Sequence, residues 1–184
     1  MPRAIPVLER AIGLCQDWHI LLLLPLLTAT LGLAYALGGR IDAGLALVEQ
    51  GVEHLVARGR PRALALVVAC LSEAYLLAGR LDEARQRAAQ AVELARQYQQ
   101  RGNQAWALWL LGEVAARQAS PEGEPAAGHY RQALALAKEL DMRPLQAHCH
   151  RGLGTLYATT GQVERARTAL SIAMALYRAM KTTR

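Results

Sequence analysis

The apolar positions of this chain recur on two scales. Within a segment they fall three and four residues apart, the spacing that gathers side chains on one face of an α-helix. Between segments the whole pattern returns after 40, 40 and 42 residues, led by Leu31, Leu71, Leu111 and Leu153. Each leading leucine is followed by a small residue (Gly32, Ser72, Gly112, Gly154) and, four places on, by Tyr35, Tyr75, Ala115 or Tyr157. A second helix of each unit carries Gly44, Ala84, Ala126 and Ala166, then Val48, Ala88, Tyr130 and Leu170, then Gly51, Ala91, Ala133 and Ala173. This periodicity predicts helices near residues 3–17, 21–38, 41–57, 62–78, 81–99, 103–118, 125–139, 144–160 and 163–180.

The spacing within units locates one irregularity. The small residue opening the second column follows its leading leucine by 13 positions (44 − 31, 84 − 71, 166 − 153), but by 15 in the third unit (126 − 111). The insertion therefore belongs to the turn Ala119-Ser120-Pro121-Glu122-Gly123-Glu124-Pro125. Small residues where helices cross let backbones approach closely, with a leucine or tyrosine filling the adjacent groove. Gly39, Gly79 and Gly161 are placed to end the first helix of a pair, since glycine enters the left-handed region without penalty. Asp42, Asp82 and Glu164 open the next helix, where a carboxylate complements the helix dipole. The pattern also runs backwards: Ala4, Leu8 and Ala11 stand 40 residues before Gly44, Val48 and Gly51.

The expected organisation is one all-α domain over residues 1–184, with a half repeat at 3–17 and repeats at 21–58, 62–99, 103–139 and 144–180. A helix pair of this kind cannot bury its apolar face alone and must stack on its neighbours. A chain that opens in mid-repeat is expected to be a piece of a longer one.

Leucine-glycine, two residues, tyrosine, three residues, glycine and then the alanine ladder resembles the tetratricopeptide repeat over nearly the whole chain. The departures are a period of 40 to 42 in place of 34, no closing proline at its usual place, and a third unit without the tyrosine and turn glycine. Units this long resemble the carboxy-terminal arrays of large bacterial signalling ATPases, including cyclase-linked and LuxR-like regulators. The nearest likeness lies in Ala147-His148-Cys149-His150-Arg151-Gly152-Leu153-Gly154-Thr155-Leu156-Tyr157. The resemblance implies a right-handed superhelix whose first helices line a concave groove. The groove residues it implies are Leu26 and Leu33, then Leu66 and Glu73, then Trp106, Trp109 and Glu113, and finally His148, Arg151 and Thr155. Trp106 and Trp109 share a helix face, and packing between repeats and anchoring a partner are both open to them.

Composition adds exclusions. The chain is 53% hydrophobic with no Phe, and Ala, Leu, Arg, Gln and Glu dominate, which favours helices. Cys15, Cys70 and Cys149 are odd in number and sit inside apolar helical pattern, as reduced thiols of a cytoplasmic protein would. The net charge of +6 comes from arginines scattered over many helices, so solvated faces explain it better than a nucleic-acid stripe. Residues 20–39 are uncharged and nearly long enough to span a bilayer, but Pro25 interrupts them and they occupy the slot of three plainly polar-faced helices. No membrane association is expected.

Chemistry is sparse. There is no glycine-rich loop leading into Gly-Lys-Ser or Gly-Lys-Thr, and no Gly-x-Ser-x-Gly elbow. Neighbours in His148-Cys149-His150 point in different directions along a helix and cannot share one metal ion. Glu122 and Glu124 lie in a turn too polar to separate their pKa values for acid–base work. Neither catalysis nor a cofactor or metal is expected. The function expected is a non-catalytic interaction or scaffold module that holds a peptide, helix or neighbouring domain in its groove. Glu73 and Glu113 favour an apolar or basic segment over an acidic tail. The alternative is a regulatory segment of a larger signalling ATPase, self-associating through Leu21, Leu22, Leu23 and Leu24; a nucleic-acid-binding repeat ranks third. Reversing Glu73 and Glu113 together is expected to weaken binding without lowering the melting temperature.

Overall fold

A computed structural model describes residues 4–118 and 124–182, and every described element is helical. Two compact units result, Met1–Tyr98 and Gln99–Arg184. The first contains α1 (Ala4–Asp17), α2 (Leu24–Leu37), α3 (Ile41–Ala57), α4 (Pro61–Leu77) and α5 (Leu81–Gln97). The second contains α6 (Arg101–Arg117), α7 (Glu124–Glu139), α8 (Arg143–Thr159) and α9 (Val163–Thr182). Within each unit, helices consecutive in sequence pack on one another, with the pairs α2–α3, α4–α5, α6–α7 and α8–α9 the most intimate.

The turns between helices follow one backbone rule. Gly39, Gly79 and Gly161 adopt φ of 89°, 75° and 75°. In each case the next residue's N–H reaches back to the tyrosine carbonyl, as from Arg40 to Tyr35 and from Arg80 to Tyr75, both at 2.9 Å. That bond closes the helix end by satisfying a carbonyl that would otherwise be unpaired. The turns leading into the following repeat use the same left-handed step, but His19, Gln99 and Asp141 take it as well as Gly59. Pro25, Pro61 and Pro144 occupy the first turns of α2, α4 and α8, where a missing N–H costs nothing.

The main departure from the sequence pattern is at α2. It begins at Leu24, not at residue 21, and Leu21, Leu22 and Leu23 form an exposed turn. Pro25 sets the start of the helix, while Arg58 and Arg60 each donate at 3.1 Å to the carbonyls of Leu21 and Leu22. The turn Ala119 to Gly123, which carries most of the expected insertion and Glu122, lies outside the described residues. Among the described residues, no helix is long and apolar enough to cross a membrane.

The core is built at the helix crossings. A Cβ on Gly32 would sit 2.6 Å from the Gly44 carbonyl oxygen, so these two backbones are in direct contact. Ala84, Ala88 and Ala91 are completely buried along α5. Ser72, the buried polar side chain among the described residues, donates at 2.7 Å to the Ala84 carbonyl. Because interiors pack at crystal-like density, each of these small side chains fixes how near two helices come.

Candidate functional site

In the second unit α6 and α8 pack side by side, and each presents three of the groove residues expected from the sequence. Trp109 is 7% exposed, and its ring lies 5.4 Å from that of His148. His148 in turn meets Tyr177 of α9 edge-on at 5.8 Å, with the phenol oxygen 3.1 Å from Nδ1. The row Trp109–His148–Tyr177 thus ties three helices together. Burial, with the Arg151 charge added, lowers the His148 pKa. The neutral imidazole is the form that can accept from the Tyr177 hydroxyl at Nδ1. Trp106 is half-buried, and neither indole N–H finds a hydrogen-bond partner among the described residues.

One helical turn further along, Glu113 accepts a 2.9 Å hydrogen bond from Tyr130 of α7. The ring of Tyr130 is buried between Gly112 and Gly152, and burial followed by the Glu113 carboxylate raises its pKa well above that of a free phenol. Above this bond opens a cleft of about 290 Å³ lined by Glu113, Arg117, Tyr130, Arg151, Thr155 and Thr159. Arg151 and Thr155 are exposed there, and Glu113 is half-buried. One carboxylate, already engaged by a phenol, shares the cleft with two guanidinium groups and two hydroxyls. The arrangement can hold polar groups of a bound segment.

The remaining expected residues belong to the first unit. Leu26, Leu66 and Glu73 are half-buried, whereas Leu33 is 8% exposed, covered by its packing neighbours. A cleft of about 240 Å³ does exist in this unit, but Ile12, Thr28, Leu47 and His54 are among its walls and none of those four expected residues is. Leu33 and Trp109 therefore offer little surface for direct contact; Trp109 instead supports His148 from beneath. Glu113 also has a structural part, since reversing it would strip the buried Tyr130 hydroxyl of its acceptor.

The residues of His148-Cys149-His150 diverge as helix geometry requires. His148 faces Tyr177, Cys149 is fully buried, and His150 lines a different cleft, of about 540 Å³, with Arg131, Tyr157, Glu164 and Arg165. Among the described residues no three His, Cys, Asp or Glu side chains converge as a metal site would need.

That last cleft was not expected from the sequence, although a signal for it exists. Tyr35 and Tyr75 each donate to a glutamate 26 residues earlier, Glu9 at 2.6 Å and Glu49 at 2.8 Å. Twenty-six residues before Tyr157 stands Arg131, which pairs with Glu124 at 2.7 Å. With base in place of acid at this position, Tyr157 lines the cleft together with Arg131, Glu164 and Arg165.

Solved structures share this fold. The chain is similar to the crystal structure of BtubC (BKLC) from P. vanneervenii, with a TM-score of 0.72 at 18% identity, over 98% of this chain and 74% of that one. No family model matches the chain, and no curated protein matches it. The likeness to BtubC is one of all-helical architecture.

Proposed function

We propose that this protein is a non-catalytic interaction module of the tetratricopeptide kind, its helix pairs coiling as a right-handed superhelix, and that α6 and α8 hold a segment of a protein partner. The observation that carries the reading is the cleft over the Tyr130–Glu113 bond, where exposed Arg151 and Thr155 stand beside a half-buried carboxylate. Such a surface suits an extended peptide or helix whose backbone and polar side chains bond to Arg151, Thr155 and Glu113, while an apolar side chain rests on Trp106. Hot-spot residues at protein interfaces are of this aromatic and arginine type. The reading includes a cytoplasmic location; the alternative, a regulatory segment of a larger bacterial signalling ATPase, rests on the sequence resemblance alone.

Selection of a displayed random-peptide library against the full chain tests this. Enriched peptides are expected to bind in calorimetry, and to bind at least about tenfold more weakly after Arg151→Glu with Thr155→Arg, a loss of ~1.4 kcal/mol. Both side chains are exposed, so the melting temperature should hold within about 2 °C. Enrichment no better than on bare support, or equal binding by the double variant, would refute the assignment of this surface.

A further inference from the structure

Helix α1 stands in the register of a second helix. Its Glu9 accepts the Tyr35 hydroxyl just as Glu49 of α3 accepts that of Tyr75, across the same 26 residues. Its Cys15 is buried, as Leu55 is 40 residues later. The α1–α2 packing therefore repeats the α3–α4 packing.

The rest of α1 breaks the parallel. In α3, α5 and α7 the column facing the helix's own partner is buried throughout: Gly44, Val48 and Gly51, then Ala84, Ala88 and Ala91, then Ala126, Tyr130 and Ala133. In α1 the same column lies open, with Ala4 exposed and Leu8 and Ala11 half-buried. Beside it Val7 is 66% exposed, whereas its counterpart Leu47 is half-buried. Among the described helices α1 packs on α2. Among the described helices, none covers this face of α1 as a first helix covers each other second helix.

We propose that this face receives one amphipathic helix of a partner protein, docked as a first helix docks on its second, with a glycine opposite Leu8. The glycine follows from a pairing that recurs along the chain. Where the second helix carries a large central residue, the first carries glycine: a Cβ on Gly32 would lie 2.7 Å from Val48, on Gly112 2.7 Å from Tyr130, and on Gly154 2.6 Å from Leu170. Where the second helix carries Ala88, the first carries Ser72. Leu8 belongs with the large residues. A second copy of this chain does not supply the occupant, because α2, α4, α6 and α8 are each already packed on their own second helix. The docked helix instead continues an interface the fold already makes at α1–α2.

The α8 sequence, residues 143–159, is a suitable probe because its Gly154 already accepts a leucine. A fluorescein-labelled synthetic peptide of it, with Cys149→Ser, is titrated with the full chain and followed by anisotropy. Saturable binding is expected, weakened at least about tenfold by Gly154→Leu in the peptide, since an added side chain overpacks the crossing. Val7→Arg in the protein, at a side chain too exposed to matter for folding, is expected to weaken binding by a similar factor. No binding up to the solubility of the peptide, or binding indifferent to both changes, overturns the proposal. So does a dimer in sedimentation velocity that Val7→Arg converts to monomer, which would assign the face to a second copy.

Discussion

The ring of Tyr130 is held between two glycines, and this makes Gly112→Ala a discriminating perturbation. A Cβ at 112 would lie 2.7 Å from Cδ1 and 2.8 Å from Cε1 of that ring. The ring cannot retreat, because Gly152 is packed so closely on its other side that a Cβ there would be 2.5 Å from Cζ, and the hydroxyl is tied to Glu113. Alanine in place of a helical glycine contributes ~1 kcal/mol through propensity. Overpacking a filled crossing costs ~1–3 kcal/mol, and a clamped ring puts this site at the upper end, for a net loss of about 1–2 kcal/mol. In a chain of this size that lowers the melting temperature by about 2–8 °C. In a Tyr130→Ala background, itself costing ~3–5 kcal/mol, the clash disappears and Gly112→Ala should stabilise by ~0.5–1 kcal/mol. Urea denaturation followed by helical circular dichroism, on all four members of the cycle, reads both signs. A neutral or stabilising Gly112→Ala in the wild-type background, or the same effect in both, refutes the clamp.

Three further outcomes can be checked. Tyr75→Phe removes a phenol that is buried and donates to half-buried Glu49, and should cost ~0.5–1.5 kcal/mol in chemical denaturation, more than Tyr35→Phe, whose bond to Glu9 is exposed. Burial pushes the Cys70 and Cys149 thiols up to about 12, so at pH 8 the native protein should resist a thiol-alkylating reagent that labels all three cysteines once urea unfolds it. Because these folded pKa values exceed the unfolded ones, the stability they confer is complete below about pH 9 and is lost towards pH 12, seen as a falling melting temperature. His129, His148 and His150 shift the opposite way, each lowered first by burial, so their contribution is present above pH 6.5 and lost below it. Calorimetry at pH 7.5 and 5.5 should show that loss, and His148→Gln should reduce it.

Local rules made much of this architecture legible. Leucine, small residue and tyrosine at a 40-residue spacing can be satisfied only by helices that stack, so helix number and order follow from the pattern, and glycines 39, 79 and 161 mark where first helices stop. Side-chain surroundings were legible only in part. The sequence placed Trp109, Glu113, His148 and Arg151 on the right helices, but not the burial of Trp109, because a residue's exposure depends on what an adjoining helix brings. Nor did it show that Glu113 is already engaged, since Tyr130 approaches from a different helix 17 residues away. The start of α2 was misplaced although Pro25 marks it, and the arginines that bond the Leu21 and Leu22 carbonyls lie 37 and 38 residues downstream, where no local pattern points to them. Periodicity is a property of one helix at a time and fixes which face is apolar. Partners, clefts and pKa shifts depend on distances between helices, and those exist only after packing.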